Sequence, residues 1–177
     1  SNNFCVLIPY RDSPTQPRAH MLKAILDHFG RARIPAVVVE QASDGRKFNR
    51  GAVLNVAYLC ALSMRIFDVF VFNDVDLLPD DRLLRYYGVC AEDAPMHLAG
   101  PRQQSKYRFE DIFGGIMSMT RDQFQKINGF PNSFWGWGGE DDALYNRTAE
   151  VFGKTYRPID GYAAEMSHTK TSDIPEM

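Results

Sequence analysis

The chain has 177 residues, of which 45% are hydrophobic and 12% aromatic, and its net charge at pH 7 is -2. Since domains usually span about 100–200 residues, this composition predicts one domain over residues 1–177. The nearly neutral charge gives no electrostatic basis for binding nucleic acid or an anionic membrane, and no apolar run approaches the ~20 residues that span a bilayer.

The first half of the chain alternates between apolar strands and helices. Residues 4–8 predict a buried strand stopped by Pro9, and residues 18–29 predict an amphipathic helix that Gly30 ends. Residues 36–39 and 69–73 predict two more buried strands. Between them, residues 50–64 predict a helix that is apolar nearly all round and therefore sandwiched. This order predicts an α/β fold with a mostly parallel sheet.

The pattern changes after Gly100. Residues 114–119 predict a strand, and Thr120 with Gln123 predicts a capping box for a helix that extends through Ile127. Two further elements follow, a helix over residues 140–152 and a final strand over residues 163–168.

Polar residues follow two of the predicted strands. Pro9, Tyr10 and Arg11 follow the first, and the sequence Asp74-Val75-Asp76 follows the third. Ligands of α/β sheets bind beyond the carboxyl ends of the strands, and carboxylate oxygens suit Mg²⁺ or Mn²⁺. The aspartates are therefore candidates for binding a metal and sugar hydroxyls. The alternative is a solvated turn, where Asp is common.

Residues 132–142 form the most unusual segment of the chain. Two tryptophans lie among three glycines, and Glu140, Asp141 and Asp142 follow directly. This composition favours a loop that moves, lays an aromatic surface over a polar ligand and places a carboxylate beside it. Acids in the first turn of a helix also gain roughly 0.3–1 kcal/mol each from the helix dipole, which is an alternative explanation for them.

Two other groups can be interpreted in two ways. Met166 and His168 face the same way on a strand; His is a common metal ligand, whereas Met is unusual for a hard cation and a lone His is often structural. The sequence Phe48-Asn49-Arg50 could cap the next helix, or it could stack a base and bring a guanidinium to a phosphate.

Four motifs, in order and over nearly the whole chain, resemble those of the β-1,4-galactosyltransferase family. They are residues 48–55, Asp74-Val75-Asp76, Phe113-Gly114-Gly115 and residues 128–142, of which the Trp-Gly-Trp-Gly-Gly-Glu-Asp-Asp block is the most specific. The resemblance implies a GT-A fold, with a mixed, mostly parallel sheet flanked by helices. It also implies an inverting transfer of galactose from UDP-galactose to a hydroxyl of a glycan or glycoconjugate acceptor. The resemblance implies Mn²⁺ as the cofactor of this transfer, with Mg²⁺ as the alternative.

The resemblance also implies roles for individual residues. Asp141 would be the general base, with Glu140 beside the reacting sugars. Phe134 and Asp142 would bind the acceptor. Asp76 and His168 would ligate the metal, with Met166 as a third candidate. The donor would be contacted by Pro9, Tyr10, Arg11, Phe48, Arg50, Asp74, Val75, Ile112, Trp137 and Gly139.

Two other functions remain open on the sequence. One is an N-acetylgalactosaminyltransferase on the same scaffold, because Ile112 lies where galactose-transferring members commonly carry Tyr. The other is a non-catalytic domain that binds a sugar nucleotide or a glycan. Cys5, Cys60 and Cys90 lack metal-site spacing and predict free thiols in a reducing compartment. This favours a cytoplasmic bacterial or viral protein over one in the Golgi lumen with its anchor removed.

Overall fold

The computed structural model describes residues 3–104 and 111–167. The strands in these ranges are β1 (Phe4–Tyr10), β2 (Ala36–Glu40), β3 (Val69–Asn73), β4 (Leu77–Pro79), β5 (Met96–His97), β6 (Ile116–Thr120) and β7 (Ala163–Glu165). The helices are α1 (Ala19–Arg31), α2 (Arg50–Met64), α3 (Asp81–Leu84), α4 (Arg121–Lys126) and α5 (Glu140–Phe152).

Five strands form one mixed sheet in the order β2-β1-β3-β6-β5. β1 pairs in parallel with β2 and β3, whereas β6 is antiparallel to both β3 and β5. Four strands therefore run in one direction and β6 runs against them, which confirms the predicted mixed, mostly parallel α/β sheet. A separate ribbon pairs β4 with β7 in antiparallel register.

The sheet separates two apolar clusters, because successive side chains of a strand point to opposite faces. On one face, Leu7 and Phe72 pack under α2, α4 and α5. On the other, Ile8 and Val71 pack under α1 and α3. Helices thus cover both faces, and the carboxyl ends of β1 and β3 open onto the same edge.

Three details of the first half differ from the prediction. β1 continues through Pro9 to Tyr10, because its pairing with β3 ends at Leu7 and Pro9 faces only β2. A proline without an N–H is tolerated where a strand has one neighbour. Similarly, α1 passes Gly30 and ends at Arg31.

The third difference concerns α2, which is not sandwiched. Val53, Leu54 and Ala57 face the sheet, but Val56 and Leu59 lie on an exposed side, with Leu59 62% exposed. An apolar sequence all round a helix therefore does not correspond here to burial all round.

The structure contains three short elements that the sequence pattern does not predict, β4, α3 and β5. Their two to four residues are too few to show a periodicity. β6 begins at Ile116 rather than Gly114, because Gly115 has a φ of 71°, outside the strand region. The capping box of Thr120 and Gln123 is confirmed, whereas β7 ends at Glu165, before Met166.

Candidate active site

The turn between β3 and β4 faces the first turn of α2. Asn49 caps α2, since its side-chain oxygen accepts a hydrogen bond from the Ala52 N–H at 2.9 Å. The same side chain donates to the Asn132 carbonyl at 2.7 Å. This bond ties the helix to the segment that leads into residues 134–139, which we call the Trp-Gly loop. This fixed helix start aims the next side chain, Arg50, at the end of β3.

Arg50 contacts three acidic side chains of the predicted site. Its Nε donates to the Asp74 carboxylate at 2.6 Å, and its Nη1 donates to the Asp141 carboxylate at 2.7 Å. Nη1 also lies 3.6 Å from Glu140 Oε1. Because the Arg50 side chain is only 11% exposed, it acts as a buried cation that connects the end of β3 to the start of α5.

The pKa values of the cluster reflect this crowding. Burial alone would lower the pKa of Arg50, but Asp141, Asp74 and Glu140 together raise it above its ordinary value. The Asp141 side chain is 27% exposed, yet its pKa rises to about 7. Burial is the largest cause, Arg50 opposes it, and the nearby charges of Asp74 and Glu140 add to it. A carboxylate with a pKa near 7 is suited to accept a proton near neutral pH.

The cluster also holds polar atoms without protein partners. Within the part of the chain that the structure describes, Arg50 Nη2 and Glu140 Oε2 are buried and make no hydrogen bond. Each such group costs about 1–3 kcal/mol. A donor and an acceptor left unpaired at one place indicate a site that is arranged for binding rather than for stability alone.

Phe113-Gly114-Gly115 supplies the floor beneath Asp141. A Cβ on Gly114 would lie 2.4–2.8 Å from the three carboxyl atoms of Asp141, so a larger residue there would displace the Asp141 carboxylate. The Gly115 carbonyl accepts from the Asp74 N–H at 3.0 Å. His97 Nε2, fully buried, lies 3.0 Å from the Gly114 carbonyl and therefore donates to it. One glycine pair thus sets the spacing between Asp74 and Asp141.

The Trp-Gly loop is built on left-handed glycines. Gly136, Gly138 and Gly139 have φ values of 92°, 93° and 90°, which side chains rarely allow. Gly139, directly before α5, also lies against the Phe134 ring, where a Cβ would approach within 2.4 Å. Trp137, at the tip, is 69% exposed.

The entrance to the loop is held by the segment that precedes α2. The Gly136 N–H donates to the Phe48 carbonyl at 2.8 Å, and the Arg46 guanidinium lies over the Trp135 ring at 5.4 Å. Within residues 3–104 and 111–167, Trp137 and Gly138 make no comparable contact. The loop is therefore anchored in its first half, at Gly136, and exposed at its tip, Trp137.

The remaining predicted donor residues lie around the same edge. Pro9 and Tyr10 end β1, and the Arg11 guanidinium lies 5.6 Å from the centre of the Phe48 ring. Val75 is buried in the core beneath the turn. Ile112 is half-buried beside Phe113, and Asp142 is exposed on the first turn of α5.

The predicted metal ligands are only partly covered by the structure. Asp76 is 6% exposed, and its carbonyl accepts from the Met166 N–H at 2.8 Å, which places the end of β7 beside the carboxylate turn. The Met166 side chain packs against the apolar core. His168 lies outside the described residues, and within residues 3–104 and 111–167 no three His, Cys, Asp or Glu side chains are grouped to hold an ion.

Two residues near the site were not found by sequence reasoning. Asn73 gave a weak signal, as a polar residue between an apolar strand and an aspartate, whereas His97 gave none. The three cysteines are free, as predicted, and burial raises the pKa of the Cys5 and Cys90 thiols to about 11, which makes them poor nucleophiles.

Comparisons with known proteins match both halves of the chain. A family model described as the N-terminal region of glycosyl transferase group 7 matches residues 1–90, and one described as the N-terminal domain of galactosyltransferase matches residues 94–170. Human β-1,4-galactosyltransferase 4 is 38% identical over 161 residues, which is 87% of this chain and 44% of that protein.

Solved structures agree with these matches. The catalytic domain of Drosophila β-1,4-galactosyltransferase 7 in complex with xylobiose is 32% identical with a TM-score of 0.77, covering 90% of this chain and 66% of that one. A mutant of that enzyme with manganese, UDP-Gal and xylobiose is 30% identical with a TM-score of 0.75, at the same coverage. The chain therefore has the predicted GT-A fold, and it spans less than half the length of the human relative.

Proposed function

The chain belongs to the β-1,4-galactosyltransferase family, and from that membership we propose that it is a metal-dependent, inverting hexosyltransferase. Its donor is UDP-galactose and its acceptor is a sugar hydroxyl of a glycan or glycoconjugate. The observation that carries the proposal is the cluster of Arg50 with Asp74 and Asp141, with hydrogen bonds of 2.6 and 2.7 Å.

Asp141 is the general base in this proposal. It accepts the proton of the acceptor hydroxyl as that oxygen attacks C1 of the donor sugar and the bond from C1 to the diphosphate breaks. A pKa of about 7 lets the carboxylate be ionised at neutral pH and still take the proton. Attack opposite to the leaving group inverts the configuration at C1.

Arg50 positions this base and supplies positive charge near the donor. It already holds Asp141 and Asp74, while its unpaired Nη2 can donate to an anionic group. Glu140, whose Oε2 is also unpaired, can accept from a sugar hydroxyl. Phe134 lies against Gly139 and Asp142 is exposed on the first turn of α5, and in this proposal both bind the acceptor.

Asp76 is the residue of the described chain that best fits a divalent cation. It is a buried carboxylate at the end of β3, and hard oxygen ligands suit Mn²⁺ and Mg²⁺. We propose Met166 and His168 as further ligands. When bound, such an ion offsets the negative charge that develops on the departing diphosphate.

The Trp-Gly loop closes over the bound donor in this proposal. Trp137 contacts the sugars and Gly139 lies beside the donor. The hydrogen bond from Gly136 keeps the first half of the loop next to Phe48. The proposed nucleotide contacts are Pro9, Tyr10, Arg11, Phe48 and Val75. Closure excludes water, which otherwise hydrolyses the donor.

A second donor, UDP-N-acetylgalactosamine, is favoured by Ile112. The residue is half-buried beside Phe113, and its side chain brings no hydroxyl group to the site. We propose that this position leaves room for a 2-acetamido group, so that the enzyme tolerates both donors.

The cellular location remains a prediction. None of the helices described is long and apolar enough to cross a membrane. The matched relatives are animal enzymes and give no support to the predicted cytoplasmic location of a bacterial or viral protein.

Metal-dependent donor binding tests the proposed function. Titrating UDP-galactose calorimetrically, with and without Mn²⁺, should show binding that requires the metal in the wild-type protein. Asp76→Ala should lose most of its metal-dependent affinity for UDP-galactose, because the substitution removes a carboxylate ligand. The fold should be kept, because Asp76 lies outside the two hydrophobic clusters. Asp68→Ala, an exposed substitution directly before the amino end of β3, is the matched control. Unchanged metal-dependent affinity in Asp76→Ala would disprove its role as a ligand.

A further inference from the structure

A buried amide lies directly beneath the turn that carries the two aspartates. Asn73 is the last residue of β3 and is fully buried. We propose that Asn73, oriented by Tyr87, is a positioning residue that sets the shape of the Asp74-Val75-Asp76 turn and thereby its affinity for the metal and the UDP-sugar. This inference rests on the proposed function and adds two residues to its site.

The amide of Asn73 closes the turn from inside. Its Nδ2 donates to the Asp74 carbonyl at 2.8 Å and to the Leu77 carbonyl at 3.0 Å. These carbonyls stand at the two ends of the turn, and the Asp74 carbonyl also accepts from the Leu77 N–H at 3.1 Å. One side chain therefore fixes both ends of the segment that presents the carboxylates.

Tyr87 determines which way the amide faces. Its hydroxyl donates to Asn73 Oδ1, so the oxygen points toward Tyr87 and both amide hydrogens point toward the turn. The reverse orientation would place the Oδ1 oxygen against two carbonyl oxygens. Burial raises the pKa of Tyr87 well above its ordinary value, which keeps the hydroxyl protonated and able to donate.

The polar pair of Asn73 and Tyr87 is buried against apolar side chains. Tyr87 is 5% exposed within an apolar cluster, where its ring packs against Phe29. Burying polar groups is costly unless they are hydrogen-bonded, and here the amide and the hydroxyl satisfy one another and the turn. The result is a rigid support for the one turn that brings Asp74 and Asp76 to the edge of the sheet.

The turn connects the parts of the proposed site. The Asp74 carboxylate binds Arg50 Nε at 2.6 Å, and the Asp76 carbonyl binds the Met166 N–H at 2.8 Å. A shift of the turn therefore moves two parts of the proposed site together. These are Asp76, the proposed metal ligand, and Arg50, which holds the proposed base Asp141. Partners that orient metal ligands typically change affinity by about 10–100-fold when removed.

The test removes one buried hydroxyl at a time. Tyr87→Phe should weaken Mn²⁺-dependent binding of UDP-galactose about 10-fold and raise the Mn²⁺ concentration that half-saturates binding. Tyr58→Phe is the matched control, because Tyr58 is equally buried at 6% exposed but packs on the opposite face of the sheet. Phe29→Leu, which loosens the packing around Tyr87, controls for lost stability.

A double variant separates positioning from packing. Asn73→Leu keeps the number and branching of the side-chain heavy atoms but removes all three hydrogen bonds, so it should weaken donor binding at least as much as Tyr87→Phe. Because Tyr87 acts through Asn73, the double variant should bind no more weakly than Asn73→Leu. Thermal unfolding of each variant verifies that it is folded.

Four results would overturn the inference. If Tyr87→Phe binds the donor and the metal as the wild type does, or if Phe29→Leu weakens binding equally, the pair serves only stability. If the two substitutions add independently, Tyr87 does not act through Asn73. If the wild-type protein itself binds no UDP-sugar with Mn²⁺, the proposed function fails and this inference fails with it.

Discussion

Asp141 is under opposing influences that together determine its proposed role. Burial and the neighbouring acids favour its protonated form, whereas Arg50 favours the carboxylate. The resulting pKa of about 7 means that the base form is present above pH 7 and lost as the pH falls below it. The proton-accepting form should therefore limit the rate on the acid side.

Replacing Asp141 tests this assignment. Asp141→Asn should keep its affinity for UDP-galactose but lower turnover by about 10²–10⁴-fold, because an amide cannot accept the proton. In the wild type, kcat/KM should rise with pH up to about 7 and then level off. Asp142→Asn, one residue along and exposed, should instead raise the KM for the acceptor. A variant that keeps more than about a third of wild-type turnover would show that Asp141 is not the base.

Ile112 tests donor choice at the same scale. The wild-type enzyme should use UDP-N-acetylgalactosamine as well as UDP-galactose, and Ile112→Tyr should shift the preference toward galactose, since the larger ring fills space beside C2. Comparing kcat/KM for the two donors measures the shift, with Ile112→Leu as the control of similar volume. Strong rejection of the acetamido sugar by the wild type would mean that another residue closes the pocket.

At the scale of elements, the Trp-Gly loop is held at one end and exposed at the other. Gly136 is bonded to Phe48, a proposed donor contact, whereas Trp137 is exposed. Hydrogen exchange over residues 134–139 should slow when UDP-galactose and Mn²⁺ are added together and not when either is added alone. Exchange in α1, distant in sequence, is the internal control. Equal protection with and without ligands would indicate a fixed aromatic wall.

The sequence predicts the long elements well and the short ones poorly. Strands β1 to β3 and helices α1 and α2 follow clear apolar patterns, but β4, α3 and β5 are too short for any pattern. Pro9 and Gly30 were interpreted as stops, yet Pro9 has only one neighbouring strand and Gly30 lies inside α1. Such outcomes depend on neighbours that are distant in sequence.

The same limit applies to the site. The sequence motifs identified the acids and Arg50, but they did not show that Arg50 is already bonded to Asp74 and Asp141. They also gave no reason to connect Asn73 with Tyr87, 14 residues apart along the chain. Bonds across a fold become visible only when the strands and helices are placed.

At the scale of the molecule, one sheet joins the two matched segments, with β2, β1 and β3 of the first segment next to β6 and β5 of the second. β3, from the first segment, lies between β1 and β6, and β6 belongs to the second. Acids from both segments meet at Arg50, so neither segment holds the proposed site alone. The single domain over residues 1–177 stays a prediction.

The central claim is that this chain transfers a hexose from a UDP-sugar to an acceptor hydroxyl with the help of a divalent metal. A transfer assay is the decisive measurement. The protein is incubated with UDP-galactose and a panel of glycan acceptors, with and without Mn²⁺, and the product masses are determined by mass spectrometry. We expect one acceptor class to gain the mass of a single hexose only when Mn²⁺ is present, and Asp141→Asn to yield little or no product. UDP-galactose that is bound in the presence of Mn²⁺ but transferred to no acceptor would contradict the claim and favour a non-catalytic domain that binds sugar nucleotides.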